Sequence, residues 1–555
     1  MANPSADTPK KQPAPESNVK ETIESILIAF VLAFVFRAFV VEAFVIPTGS
    51  MGPTLMGAHF RVTCPDCGYQ FERNYSSHSG DDTDIPQYDN LEKGRTVTCP
   101  NCGYQIPFSG LQPVYFGDRI LVLKYRYLFS QPEPWDVVVF KSPYEKKRDP
   151  DDSKYTDNYI KRLIGLPGDS VMILDGDIYI GSHGQDPRQF KIRRKTAHAQ
   201  SALWRDVYDN DYLSIGLDRV NRADAAMPWQ EPWVVVSGGG WSGPLGAGNP
   251  SRIFNFDNQR SDSAIEFDST ANHPGFDGLS DWLAYDQSSF PGTFVSDLKL
   301  SCVYSRSAGD GPFKMQLTKR QDCFTAEFIA GKVRLWRHQI IQQDPLKLGP
   351  EVWSKPLEAG VPELSMGRPV AIDFSNYDYR VSIRVNGREV LATTDGQYHP
   401  NVAALYDEAL RAHREEAHPS MSAKPVVRIV ADRQTCAIEH LRLAKDIYYL
   451  NFGDHYDAYG TPTREPWFAS PENIMQLGDD EYFVLGDNSQ VSLDARFWGA
   501  PVDLPREGNY HVGPGRVPGR FLLGKAFFVY WPAGYRPPSL PYGIEPDFGD
   551  MRFIK

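Results

Sequence analysis

Ser50 stands in Phe44-Val45-Ile46-Pro47-Thr48-Gly49-Ser50-Met51-Gly52-Pro53-Thr54-Leu55, a Gly-Ser step between prolines. By itself such a step marks a turn. The serine becomes a nucleophile only if a neighbouring base takes its proton. A candidate base is Lys161, in Asn158-Tyr159-Ile160-Lys161-Arg162-Leu163-Ile164-Gly165-Leu166-Pro167-Gly168-Asp169. Read as a strand, this segment sets Tyr159, Lys161 and Leu163 on one face and Arg162 on the other. A lysine among apolar neighbours loses hydration, which lowers its pKa and favours the neutral amine. A neutral amine can deprotonate a serine hydroxyl. The other reading of the same strand is an edge lysine that snorkels to water. A second chemistry is carried by Cys64-Pro-Asp-Cys67-Gly-Tyr-Gln and its copy Cys99-Pro-Asn-Cys102-Gly-Tyr-Gln. Two such knuckles present four thiolates, enough for a closed tetrahedral zinc site with no position left for a reacting water. The expected role is therefore structural. Two disulfides are the alternative in an oxidising compartment. Asp81, Asp82, Asp84 and His78 between the knuckles read as a solvated loop.

These residues need elements to position them. The chain has 555 residues, 41% of them apolar, and a net charge of −12. That charge excludes general nucleic-acid binding. Its 45 glycines and 44 prolines favour short strands and turns over a helix bundle. A mean hydropathy of −0.42 excludes a polytopic membrane protein but leaves room for one span. Residues 1–20 read as a disordered cytoplasmic tail. The apolar run within 21–43 is long enough to cross the hydrocarbon core as a helix, with Arg37 snorkelling near one end. Lys10, Lys11 and Lys20 before it put the tail in the cytoplasm and the rest outside. The competing reading is a cleaved signal peptide, for which Val41-Glu42-Ala43 is a poor cleavage site. Ser50 would then be leashed close to the bilayer.

The ordered segments together resemble bacterial signal peptidase I. The Thr48–Leu55 box, the Lys161–Asp169 box, Gly117–Lys124, Asp136–Phe140, Gly486–Gly499 and Gly524–Pro532 all match in order. The resemblance implies Ser50 as nucleophile, Lys161 as general base, and an oxyanion hole made by the Ser50 N–H and the Thr48 hydroxyl. It implies that Ser492 orients the lysine, that Asp494 and Arg496 form an ion pair, and that Asp487 supports the site through Arg162. Phe44, Ile46, Met51, Leu55, Tyr159 and Ile160 match its substrate pockets, which would admit alanine-sized side chains at −1 and −3 of a signal peptide; the plainer reading of these apolar residues is ordinary core, and the two are compatible. Ser489, Val491, Ala495 and Trp135 depart from the family's usual Arg, Asn, Ser and Gly. No cofactor is implied for catalysis.

The expected fold is mainly β, with an antiparallel catalytic core at 44–63, 111–184 and 445–555 interrupted by two inserts. Residues 64–110 are the zinc-ribbon-like insert and 185–444 a β-sandwich insert. Within the latter, Phe324–Phe328 with Val333–Trp336, and Val381–Val385 with Arg388–Leu391 across Asn386-Gly387, have hairpin patterns. Trp233–Val236, Leu298–Val303 and Val426–Val430 are further strands. Phe374–Gly387 resembles laminin-G or concanavalin-like jelly rolls, which implies a glycan or protein ligand. A spacer or docking surface is the plainer alternative. Cys302, Cys323 and Cys436 allow at most one disulfide among themselves. The expected function is a single-pass plasma-membrane serine endopeptidase, its catalytic domain outside, acting on signal peptides at the bilayer. A surface-binding protein working through the sandwich, and a peptidase restricted to certain membrane proteins, are the alternatives.

Overall fold

In the computed structural model the described residues are 19–75, 88–89, 96–108, 112–143, 158–217, 229–244, 251–272, 277–287, 293–343, 346–414, 423–451, 455–456, 462–463, 468–499, 502–504, 510–532 and 548–555. The polar tail before residue 19 and the acidic loop around Asp82 lie outside them.

The protein is mainly β, as its composition suggests. One antiparallel sheet runs in the order Val41–Val45, Arg119–Leu123, Leu522–Trp531, Val137–Lys141, Asn158–Gly165, Glu481–Leu485, Val517–Pro518. The Lys161 strand lies inside this sheet, paired with Val137–Lys141 on one side and Glu481–Leu485 on the other. A smaller sheet of Lys191–Ile192, Asp177–Ser182, Asp169–Leu174 and Met475–Gln476 packs against it. The helix Ala197–Leu203 adds Ala199 and Leu203 to the same core.

The third sheet has 14 strands. Its spine is the 19-residue strand Val427–Lys445. That strand pairs with Phe254–Phe267, Leu298–Gly309, Phe313–Lys319 and Arg205–Asp209. Strands such as Leu298–Gly309 alternate buried and half-exposed residues, so one face is turned inward onto the largest apolar core. The two hairpins legible in the sequence are present as Asp322–Ile329 with Lys332–Gln342 and Arg380–Val385 with Arg388–Ala392. Asn386 and Gly387 have φ of +49° and +77°, the left-handed pair that a tight hairpin turn requires.

Val19–Phe39 is a 21-residue helix. Among the described residues no helix is long and apolar enough to cross a membrane. Side chains of this helix are described for residues 21–32 and 34. Ile23, Ile26, Leu27, Ile28, Phe30, Val31, Leu32 and Phe34 are each more than half exposed. Val41 to Ala43 stand in the edge strand Val41–Val45, not in the helix.

Candidate active site

Ser50 sits in the one-turn 3-10 helix Gly49–Met51, just beyond the edge strand. Lys161 reaches it from the middle of the sheet, and Lys161 Nζ lies 2.6 Å from Ser50 Oγ. Ser50 is half-buried, whereas Lys161 is only 4% exposed. Burial pushes the Lys161 pKa down to about 8, with Asp494 and Asp487 pulling the other way and Arg496 assisting the fall. Thr48 Oγ1 lies 3.5 Å from Ser50 Oγ, on the exposed side of the turn.

Two carboxylates that could have recharged the lysine are tied up by arginines. Asp487 takes Arg162 Nε and Nη2 at 2.7 and 2.6 Å. Arg162 Nη1 then donates to the carbonyls of Trp135 and Lys555, at 2.9 and 3.0 Å. Asp494 takes Arg496 Nε and Nη2, both at 2.8 Å, and accepts the Gly486 N–H at 2.9 Å. Both pairs are wholly buried. Such bidentate pairs are rigid as well as strong.

Ser492 is fully buried beside Gly486, and its hydroxyl has no hydrogen-bond partner. Ser492, expected to orient Lys161, makes no hydrogen bond to it among the described residues. Of the expected pocket residues, Ile46, Met51 and Leu55 are 2%, 0% and 1% exposed and pack as core with Ile120, Val122, Val137 and Val139. Phe44, Tyr159 and Ile160 are half-buried and reach the surface.

The departures from the usual boxes have local compensation. Ser489 Oγ accepts from Arg496 Nη1 at 3.0 Å and from the Leu450 N–H at 2.9 Å. Trp135 has a φ of +74°, a region that favours glycine. Its indole N–H donates to the Arg194 carbonyl at 2.8 Å and its own N–H to Leu163 at 2.7 Å, which hold it there.

The four cysteines Cys64, Cys67, Cys99 and Cys102 converge, their sulfurs all within 4.8 Å of one another. Cys64–Cys102 and Cys67–Cys99 are 3.6 and 3.7 Å apart, too far for disulfides. Ligands about 2.3 Å from a tetrahedral zinc stand about 3.8 Å apart, so the spacing fits the ion. The two knuckles repeat the same hydrogen bonds: Gly68 N–H to Cys64 O and Gly103 N–H to Cys99 O, at 2.9 and 3.0 Å. Cys302, Cys323 and Cys436 are buried free thiols.

Sequence reasoning missed a second layer behind Ser50. Asn488 donates its backbone N–H to the Ser50 carbonyl and its Nδ2 to the Gly49 carbonyl, both at 3.1 Å. Asp286, Asn74 and Tyr285 pack behind these groups. No motif marks them, because Asn74 ends the strand Gln70–Asn74 while Tyr285 and Asp286 lie in a turn some two hundred residues from it and from Asn488.

A serine facing a buried, weakly basic amine is an arrangement in which the hydroxyl can be activated as a nucleophile. The sequence model described as signal peptidase, peptidase S26, matches residues 19–79, 98–230 and 443–531, just over half of the chain. The chain belongs to that family. It is 29% identical over 169 residues to signal peptidase I of Rickettsia bellii (strain OSU 85-389), covering 30% of this chain and 42% of the relative. It is 31% identical over 121 residues to probable signal peptidase I-2 of Synechocystis sp. (strain ATCC 27184 / PCC 6803 / Kazusa), covering 22% and 52%. The chain thus spans about half the length of these curated relatives. Among solved structures, the carbohydrate binding module CBM66 from Bacillus subtilis aligns at a TM-score of 0.21 and 10% identity, covering 39% of this chain and 96% of that one. A score that low carries no functional weight.

Proposed function

We propose that this protein is a signal peptidase I, a serine endopeptidase that cleaves signal peptides from exported preproteins after small residues at −1 and −3. The observation that carries the reading is the 2.6 Å approach of Lys161 Nζ to Ser50 Oγ in a setting that lowers the lysine pKa to about 8. Neutral Lys161 takes the Ser50 proton as Oγ attacks the scissile carbonyl. The developing oxyanion is met by the Ser50 N–H and the Thr48 hydroxyl. Collapse breaks the amide bond, and Lys161 returns the proton to the leaving amine. Water, deprotonated by the same lysine, then hydrolyses the acyl ester. Asp487 with Arg162 and Asp494 with Arg496 keep carboxylates off the lysine. The half-buried Phe44, Tyr159 and Ile160 would bound shallow pockets for small side chains.

The helix Val19–Phe39 anchors the enzyme, its N-terminus cytoplasmic. Apolar side chains exposed around it support a lipid setting. Cys64, Cys67, Cys99 and Cys102 hold a structural zinc that fastens the first insert and takes no part in catalysis. Catalysis needs no cofactor. The test is cleavage of a preprotein with alanine at −3 and −1 by full-length wild type, Ser50→Ala and Lys161→Ala. Processing by the wild type and none by either variant is expected; processing by either variant overturns the dyad.

A further inference from the structure

The turn that carries Ser50 is held from behind in part by Tyr285 and Asp286, which lie outside the stretches that match the peptidase family. Asp286 is half-buried and bridges two amides. Its Oδ1 accepts Asn74 Nδ2 at 2.7 Å and its Oδ2 accepts Asn488 Nδ2 at 2.5 Å. Asn74 ends the strand Gln70–Asn74 that follows the first cysteine knuckle, and Asn488 lies in the Gly486–Gly499 box. The same Asn488 Nδ2 also donates to the Gly49 carbonyl at 3.1 Å, while the Asn488 N–H holds the Ser50 carbonyl at 3.1 Å.

The Gly49 carbonyl and the Ser50 N–H are two ends of one planar peptide unit. Holding the carbonyl therefore aims the N–H. Two glycines of the turn leave room for this backing. A Cβ on Gly49 would fall 2.4 Å from Asn74 Oδ1, and one on Gly52 would fall 2.3 Å from the Tyr285 ring. Neighbouring bonds tie the same parts together: the Tyr285 carbonyl accepts the Asn74 N–H at 2.7 Å, and Arg205 Nη2 donates to Thr54 Oγ1 at 3.0 Å. A carboxylate drawn part-way out of water needs its oxygens hydrogen-bonded, and here both are spent on the amides behind Ser50.

We propose that Asp286 is a positioning residue for the Ser50 turn: acting through Asn488 and Asn74, it fixes the Gly49–Ser50 peptide, so that a stretch outside the family match supplies part of the back wall of the active site. This rests on the peptidase reading for its kinetic consequence, but not for its structural one. Loss of the carboxylate frees Asn488 Nδ2 from one anchor and lets the peptide turn. The oxyanion donor is then misaimed, which lowers kcat and leaves KM alone.

The experiment uses the full chain in detergent micelles, with wild type, Asp286→Ala, Asp286→Asn and Asn74→Ala. Asp286→Ala is expected to lower kcat about tenfold or more with KM within about twofold. Asp286→Asn is expected to recover most of kcat. Its amide oxygen can accept from Asn488, and once the Asn74 amide turns over, its NH2 can donate to Asn74 Oδ1, which in the wild type has no partner among the described residues. Hydrogen–deuterium exchange over residues 44–58 is expected to quicken in Asp286→Ala and in Asn74→Ala. An Asp286→Ala kcat within twofold of wild type, or unchanged exchange over 44–58, overturns the proposal. If Asp286→Ala does not fold, the exchange of Asn74→Ala decides it in the same way. A wild type that leaves the preprotein uncut sinks the peptidase reading instead, and the exchange measurement still decides the role of Asp286.

Discussion

Lys161 and Lys195 are buried alike, at 4% and 6% exposure, and their pKa values move in opposite directions. Burial works against the ammonium in both. At Lys195 it is outweighed by Asp378 and Asp446, the latter 2.9 Å away, and the pKa rises well above its ordinary value. At Lys161 the nearby carboxylates are already engaged by arginines, the partner is a neutral hydroxyl, and the pKa falls to about 8. Burial alone does not make a base of a lysine. Burial with the neighbouring carboxylates taken out of reach does. Lys195 instead joins a network of buried ion pairs, beside Lys319 with Asp177 and Asp297 at 3.4 and 2.5 Å.

The largest effect that would break this comparison is at the dyad. Lys161→Met and Ser50→Ala are each expected to cut kcat by about 10⁴-fold or more in a preprotein assay. Lys195→Met leaves Asp378 and Asp446 buried without their cation, so chemical denaturation should show a loss of about 3–5 kcal/mol. Thr48→Val removes one oxyanion donor and should cost about 2.7–4 kcal/mol in kcat, with KM little changed. The pH profile sharpens the contrast further. The neutral amine is the working form, so kcat/KM should rise about tenfold per pH unit up to about pH 8 and level off above it. The smallest effect is on stability at the dyad: Lys161→Met removes no ion pair, and its unfolding free energy should stay within about 1 kcal/mol of wild type or increase. A large destabilisation by Lys161→Met would mean that the two lysines are alike after all.

Much of the architecture was legible. Asn386-Gly387 marks a hairpin because few residue pairs tolerate the turn it needs, and that hairpin is present. The repeated cysteine knuckles foretold their own convergence, since each is a local turn with fixed geometry. Ser492, which the box implies orients Lys161, makes no hydrogen bond among the described residues, and Ile46, Met51 and Leu55 follow the plainer of their two readings, as core. Residue type at a motif position does not say which way a side chain packs.

The sequence by itself determined the chemistry on offer: a serine in a tight turn, a lysine on an apolar strand, four cysteines in two knuckles and a mainly β chain. These rest on local periodicity and turn preference, which act over a few residues. Only the tertiary structure decided that Lys161 meets Ser50 while Lys195 meets carboxylates, and that Asp286 and Asn74 stand behind the nucleophile. Asp286 and Asn488 are 202 positions apart. Contacts across such separations are set by how whole sheets pack, and no local pattern records them.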